Sequence, residues 1–334
     1  MTPPGESSAW AGIVGQSGAI ALLRRAIAQD RVAHAYAFVG PSGVGRRLTA
    51  VAFAQAALCP AEGCGACAVC RRVAAGQHPD CQVVVPTPPR ENPKGAPMIR
   101  IEQVRELERA AALAPLEAGR KVFVLDDAER MTLPTAQALL KTLEEPPPRT
   151  YLVLIIANPR ALPPTLISRC QRVRFRPLGE ADAARFLESR GVTPAASALL
   201  ARLAQGRPGL ALGADLDALR ARREAALALA TAPSARLGAA LDASPTDRAT
   251  VATYLELYWA WYRDALCLAA GGSATLLVNA DQEEALRALA ARVSAPALAA
   301  ALARVKTAWV ALESNVNPRL ALETALLGLG GMAA

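Results

Sequence analysis

The stretch that decides the fold is Tyr36-Ala37-Phe38-Val39-Gly40-Pro41-Ser42-Gly43-Val44-Gly45-Arg46-Arg47. Its first four residues form an apolar run typical of a buried strand, and residues 48–58 after it have a helical pattern. Between them, Gly40 and Gly45 match the glycines of G-x-x-x-x-G-K-S/T, a motif in which backbone N–H groups and a helix N-terminus hold phosphate. The sequence therefore predicts a phosphate loop between a strand and a helix.

Two side chains of this loop depart from the motif. Arg46 stands at the lysine position, and Arg47 stands at the Ser/Thr position whose hydroxyl normally ligates Mg²⁺. A guanidinium is cationic and cannot take that ligand role. We interpret Gly40, Gly45, Arg46 and Arg47 as a degenerate loop that binds ATP weakly or not at all. A working ATPase loop and a chance glycine-rich turn remain as alternatives.

Two acidic residues follow the apolar residues 122–125. Asp126 stands where a strand of this type carries the acid of the Mg²⁺ shell, and Asp127 stands where a glutamate usually polarises the attacking water. Asp127 is one methylene shorter than glutamate. An aspartate could also simply end a strand, but beside the altered loop the pair indicates an inherited site with impaired chemistry.

Outward from the loop, the first half of the chain alternates strand-like and helical segments. This alternation predicts a three-layer α/β domain with a parallel sheet, over residues 1–177. After that point the strand signals end, and we predict a small helical domain at 178–213 and an all-helical domain at 214–334. The predicted strands are residues 36–39, 81–85, 122–125, 152–156 and 173–175.

Four of the seven cysteines lie within twelve residues: Cys59, Cys64, Cys67 and Cys70. Paired C-x-x-C thiolates on tight turns suit tetrahedral Zn²⁺, and four protein ligands leave no open position. We therefore predict a structural zinc module at residues 59–81, with an iron–sulfur cluster as the alternative. The odd cysteine count argues against a disulfide framework and favours a reducing cytoplasm.

Composition narrows the functional classes. The 334-residue chain is 52% hydrophobic, carries a formal charge of +8 and contains only 4% aromatic residues. The positive charge permits contact with nucleic acid, but so few aromatics argue against a base-stacking platform. A secretory signal or a membrane span is not expected, since the start lacks a cationic and apolar leader and long uncharged apolar runs are missing.

Longer motifs carry a family resemblance. The segment QALLKTLEEPP at residues 137–147 resembles the signature of the bacterial DNA polymerase III clamp-loader subunits of the AAA+ class, above all their delta-prime type. Ser168-Arg169-Cys170 matches the S-R-C motif of these proteins, and residues 76–80 resemble the segment after their zinc module. From the residues themselves, Glu144 and Glu145 are expected only to lie at an exposed helix end.

The resemblance implies a site and a set of partners. Arg169 would be an arginine finger that reaches ATP bound to an adjacent subunit, although it could also cap its own helix. Related ATPases carry G-x-x-R in the helical lid, here residues 178–213, but Gly209 stands at that arginine position. Residues 214–334 would be the oligomerisation collar.

Three functions follow from these observations. The first is a subunit that does not hydrolyse ATP and assembles with tau/gamma-type ATPase subunits and a delta subunit, in a complex that loads the sliding clamp on primed DNA. The second is an active ATPase of the same fold, which Arg46, Arg47 and Gly209 disfavour. The third is a zinc-containing nucleic-acid-binding protein, for which only the basic charge and Arg71-Arg72 speak.

Overall fold

The computed structural model describes residues 8–89, 91–92, 95–212, 216–230, 245–313, 316–327 and 329. The chain forms two compact units, residues 1–212 and 213–334. The predicted border between residues 177 and 178, inside the first unit, stays a prediction.

The first unit is built on one parallel sheet. Its strand order is β2-β3-β4-β1-β5, so the strand before the phosphate loop lies between two others and is hydrogen-bonded on both sides. All its strand pairs are parallel, as the alternating sequence pattern predicts. The strands are β1 (Ala35–Val39), β2 (Cys81–Val84), β3 (Lys121–Leu125), β4 (Thr150–Ile156) and β5 (Gln171–Arg174).

Helices cover both faces of the sheet. Ala35 and Ala37 of β1 pack into a core with leucines of the helices on one face, such as Leu107 and Leu139. The alternate residue Tyr36 meets Phe53 on the other face, with ring centroids 5.4 Å apart. The predicted three-layer α/β fold is therefore confirmed. The helices of this unit are α1 (Ser17–Ala28), α2 (Arg46–Leu58), α3 (Ala68–Ala74), α4 (Ile101–Ala112), α5 (Leu133–Glu144), α6 (Pro164–Ile167), α7 (Glu180–Glu188), α8 (Pro194–Leu203) and α9 (Pro208–Ala211).

Some predicted boundaries need correction. The last strand covers residues 171–174, not 173–175. The sequence pattern misplaced it, because three of its four side chains are exposed and only Val173 is buried. An edge strand of this kind has no apolar run to show where it begins. Helix α2 begins at Arg46, directly after the left-handed Gly45, two residues before the start of its apolar pattern.

The second unit consists of helices packed around their own apolar core. Within it, the helix Ala295–Glu313 (α13) is long and apolar enough to cross a membrane by length and composition alone, but the same holds for core helices of soluble proteins. Leu298, Ala301, Val305 and Ala308 form a fully buried face of α13. Pro233, at which the sequence predicts a break between helices, lies outside the described residues. The helices are α10 (Leu216–Ala230), α11 (Arg248–Ala269), α12 (Glu283–Arg292), α13 (Ala295–Glu313) and α14 (Pro318–Leu326).

Candidate functional site

The phosphate loop has the backbone shape that its motif requires. Gly43 and Gly45 have φ of 83° and 95°, in the left-handed region that favours glycine. A Cβ at Gly40 would lie 2.4 Å from the carbonyl oxygen of Phe175, so only glycine fits against the backbone directly after β5. The loop therefore runs from β1 into the N-terminus of α2 as predicted.

Arg46 is turned inward from the first position of α2. The residue is only 5% exposed, and its Nη2 donates to Ser42 Oγ of the same loop at 3.3 Å. Its Nη1 has no hydrogen-bond partner among the described residues. Burial lowers the pKa of Arg46, against the opposing fields of Glu129, Asp127 and Asp126. The charge of the usual lysine is thus kept, on a bulkier group that is bonded to the loop itself.

Arg47 occupies the place that Mg²⁺ chemistry would need. Its Nη1 lies 3.0 Å from Oδ2 of Asp126, the acid at the end of β3. A guanidinium therefore sits on the carboxylate that would belong to the metal's shell. Asp127, at the position of the water-polarising acid, lies 3.6 Å from Nε of Arg130. Both acids face arginines of this chain, and Mg²⁺ would have to displace the pair at Asp126.

The helical segment after residue 178 closes over this loop. A cavity of about 450 Å³ lies between them, lined by the loop, by Arg190 and by apolar side chains such as Phe186. At its edge the N–H of Gly209 donates to the carbonyl of Gly43 at 2.9 Å. A Cβ at Gly209 would lie 2.9 Å from that same oxygen. Residue 209, where related ATPases carry the lid arginine, is here a glycine whose backbone contacts the backbone of Gly43.

The four predicted metal ligands converge. Their Sγ atoms all lie within 4.8 Å of one another, and Cys59 Sγ is 3.9 Å from Cys64 Sγ and 3.7 Å from Cys67 Sγ. Zn–S bonds of about 2.3 Å in a tetrahedron place sulfurs about 3.8 Å apart, so the cluster fits zinc. The N–H groups of Ala66 and Cys67 lower the pKa of Cys64 to about 6, which favours the thiolate. Cys59, Cys64, Cys67 and Cys70 could thus hold a structural zinc ion.

The carboxylate of Asp80, to which no role was assigned from the sequence, joins the end of this module to the loop before β3. Asp80 is buried, and its oxygens accept the backbone N–H groups of Leu116, Glu117 and Ala118 at 2.7–2.9 Å. Burial opposes ionisation, but these bonds outweigh it and hold the pKa of Asp80 below its usual value. The only sequence signal for this role is an acid within the family-like segment at residues 76–80.

His78 packs beside this module and is not one of the four candidate metal ligands. Its ring is buried, and Nδ1 accepts the N–H of Asp80 at 3.1 Å. Beside it, Arg72 on α3 pairs with Glu117 through its two terminal guanidinium nitrogens, Nη1 and Nη2, at 2.9 and 2.5 Å. The module is therefore joined to the loop before β3 by an ion pair as well as by Asp80.

Arg169 lies between α6 and β5, with 36% of its side chain exposed. Its Nη1 donates to the carbonyl of Thr165 at 2.8 Å, so it does cap its own helix. Its Nη2 lies 2.6 Å from Oε1 of Glu144, the last residue of α5. These bonds join it to α5 and α6 and not to the phosphate loop of its own chain. The side chain as a whole is therefore only partly buried.

Fold and sites together define a three-layer α/β protein with a four-cysteine cluster and a phosphate loop that departs from its motif. Two family models match most of the chain: "DNA polymerase III, delta subunit" over residues 15–179 and "DNA polymerase III, delta subunit, C terminal" over residues 216–330. The chain belongs to this DNA polymerase III subunit family, and the resemblance to the delta-prime type is confirmed.

Curated relatives give the same result. The DNA polymerase III subunit delta′ of Bacillus subtilis (strain 168) is 36% identical over 185 residues, which cover 54% of this chain and 54% of that protein. The delta′ subunit of Pseudomonas aeruginosa is 44% identical over 142 residues, 41% of this chain and 42% of the relative. The Bacillus subtilis tau subunit is 32% identical over 49% of this chain and 28% of its own length. The matched segment thus spans about half the length of the delta′ relatives.

Proposed function

We propose that this protein is a cytoplasmic, delta-prime-like subunit of the DNA polymerase III clamp loader that does not hydrolyse ATP itself. It would assemble with tau/gamma-type ATPase subunits and a delta subunit, and the complex would load the sliding clamp on primed DNA. Its chemical contribution would be Arg169, acting in trans on ATP bound to the adjacent subunit. The zinc ion would serve only to hold the cysteine module.

The observation that carries this proposal is the ion pair between Arg47 and Asp126. It places a protein cation where magnesium would be needed, so the chain's own site is poorly suited to hydrolysis. The direct contact of Gly209 with Gly43 supports the same conclusion, because the lid position at which the family pattern has an arginine carries no side chain here. Family membership supplies the expected partners.

Arg169 has the properties that a trans-acting group requires. It is always charged, it is partly exposed, and a guanidinium can hold phosphate oxygens with two parallel hydrogen bonds. Arginine fingers contribute about 10³ to 10⁵ in rate at the site they serve. Since several subunits of the complex would hydrolyse ATP, the loss of one finger should lower total turnover only in part.

The test uses the complex assembled with its ATPase and delta subunits, containing either the natural chain or R169A. We expect R169A to assemble normally, as measured by the mass of the complex, yet to lower ATP hydrolysis and clamp loading. R172A is the matched control, because Arg172 is an exposed arginine on the neighbouring strand β5. Unchanged hydrolysis and loading in a fully assembled R169A complex would reduce Arg169 to a helix cap.

A second assay separates this function from an active ATPase. The isolated chain should show no magnesium-dependent ATP turnover above that of a G45D variant, in which a side chain strains the left-handed position and a carboxylate repels the phosphates. Turnover that G45D abolishes would favour the ATPase and reject the proposal.

A further inference from the structure

The carboxylate of Glu144 has a role that its position at a helix end did not suggest. It is the last residue of α5, and its Oε1 lies 2.6 Å from Nη2 of Arg169. Glu144 ends α5 and Arg169 follows α6, so their pairing depends on how these two helices pack. Glu144 is therefore joined to the one side chain through which the proposed function acts.

The guanidinium of Arg169 is held at two points. Nη1 is fixed by the carbonyl of Thr165 and Nη2 by Glu144. A guanidinium has five N–H groups, so these two bonds leave most of its donors available. These two bonds favour one arrangement of a flexible side chain with three methylene groups before any ligand arrives. Such restriction is what makes a charged group effective towards a transition state.

We propose that Glu144 is a positioning residue for Arg169, holding its guanidinium so that the remaining N–H groups meet the γ-phosphate of a nucleotide on the adjacent subunit. This inference rests on the proposed function. Removing one of the two anchors would leave Arg169 charged but with more rotamer freedom, so the transition state would be stabilised less often. Glu145, the next residue, is exposed and is not bonded to Arg169 in the described structure.

The experiment measures kcat and KM for ATP in the assembled complex carrying E144A, R169A or the double variant, with E145A as the matched control. We expect E144A to reproduce about half or more of the kcat loss of R169A, because small misplacements of a catalytic group cost up to about 10²-fold. KM should change less than kcat, since an arginine finger stabilises the transition state more than it stabilises bound ATP. E144D should recover part of the loss, and E145A should behave like the natural chain.

The double variant identifies the route of the effect. If Glu144 acts through Arg169, E144A causes no further loss in the R169A background. An equal loss in both backgrounds would overturn the positioning role. So would an E144A complex with natural or increased kcat while R169A is impaired, and in that case the finger itself would stand. An unimpaired R169A complex would reject the finger and this inference together. E144Q, which preserves size, replaces E144A if the latter does not assemble.

Discussion

At the N-terminal end of α2, Arg46 and Arg47 stand where a magnesium-dependent loop has a lysine and a hydroxyl residue. At the C-terminal end of the same helix, Cys59 joins three other cysteines in a cluster of the size that zinc requires. A turn that contains glycines with positive φ adjoins each end of this helix. At the N-terminal end the side chains do not suit the magnesium chemistry that the shape of the loop indicates. At the C-terminal end the side chains supply a full set of four metal ligands.

This difference shows that the shape of a loop and its chemistry are maintained by separate interactions. The phosphate loop keeps its path because Gly40 packs on the Phe175 backbone and Gly43 on the Gly209 backbone, and neither contact needs a nucleotide. The cysteine module has few buried apolar residues of its own, so its shape depends on its ligand set. We therefore expect the two ends to respond differently to substitution.

The largest effect is expected at the cysteine end. C70S removes one of four ligands, and structural zinc supplies about 10–16 kcal/mol of apparent binding energy in small modules. The variant should lose its zinc and unfold locally over residues 59–81, while the sheet stays folded. Elemental analysis together with limited proteolysis measures both. C267S, whose cysteine lies in the second unit, should keep the metal. Zinc retained by C70S, or a visible iron–sulfur absorption in the natural chain, would contradict the assignment.

A smaller change tests whether the module also has an anchor that does not depend on the metal. D80N removes the charge that accepts three backbone N–H groups, and we expect a loss of about 2–4 kcal/mol in local stability. Hydrogen exchange at Leu116, Glu117 and Ala118 reports this loss. D182N, which removes an exposed i,i+3 pair with Arg185, should change little.

The pH dependence of this anchor has a definite sign. The pKa of Asp80 in the folded protein is below its usual value, so its contribution is fully present above about pH 4 and is lost as pH falls through the folded pKa. The difference between D80N and the natural chain should therefore be constant near neutral pH and shrink in acid. A difference that grows in acid would disprove the carboxylate's role.

At the phosphate end, restoring the motif should recover binding. In R46K/R47S, Asp126 is released from Arg47, and a hydroxyl stands at the Mg²⁺ position. We expect ATP affinity to become magnesium-dependent and to rise about tenfold or more, or about 1.4 kcal/mol. Turnover should remain absent, because Gly209 still replaces the lid arginine. Calorimetry with and without Mg²⁺ measures the gain, and R47S alone shows how much the released acid contributes. Equal affinity in both metal conditions would contradict the assigned role of Arg47.

The smallest effect concerns the lid contact. In G209A the new Cβ would lie 2.9 Å from the Gly43 oxygen, so α9 must shift, and we expect the free energy of unfolding to fall by about 1 kcal/mol. G12A is the matched control, because Gly12 is exposed and nothing lies within 4 Å of its Cβ. Urea denaturation compares the two variants. Equal midpoints would mean that the lid does not pack on the phosphate loop in solution.

Sequence alone determined the parts of this protein that local patterns encode. Apolar runs located the central strands, glycine spacing located the phosphate loop, and C-x-x-C spacing located the metal ligands, because each depends on residues close together in the chain. It failed at the start of β5, where a single buried residue gives no periodicity.

Only the tertiary structure decided which distant residues meet. Arg47 and Asp126 are separated by more than 70 residues, and their pairing follows from the parallel order of β1, β4 and β3. Glu144 reaches Arg169 because α5 packs beside α6, and Asp80 reaches the 116–118 backbone because β2 pairs with β3. Charged side chains carry no periodic signal that names their partners. Which charge neutralises which is set by the packing of the apolar core, and the chemistry of each site follows from that packing.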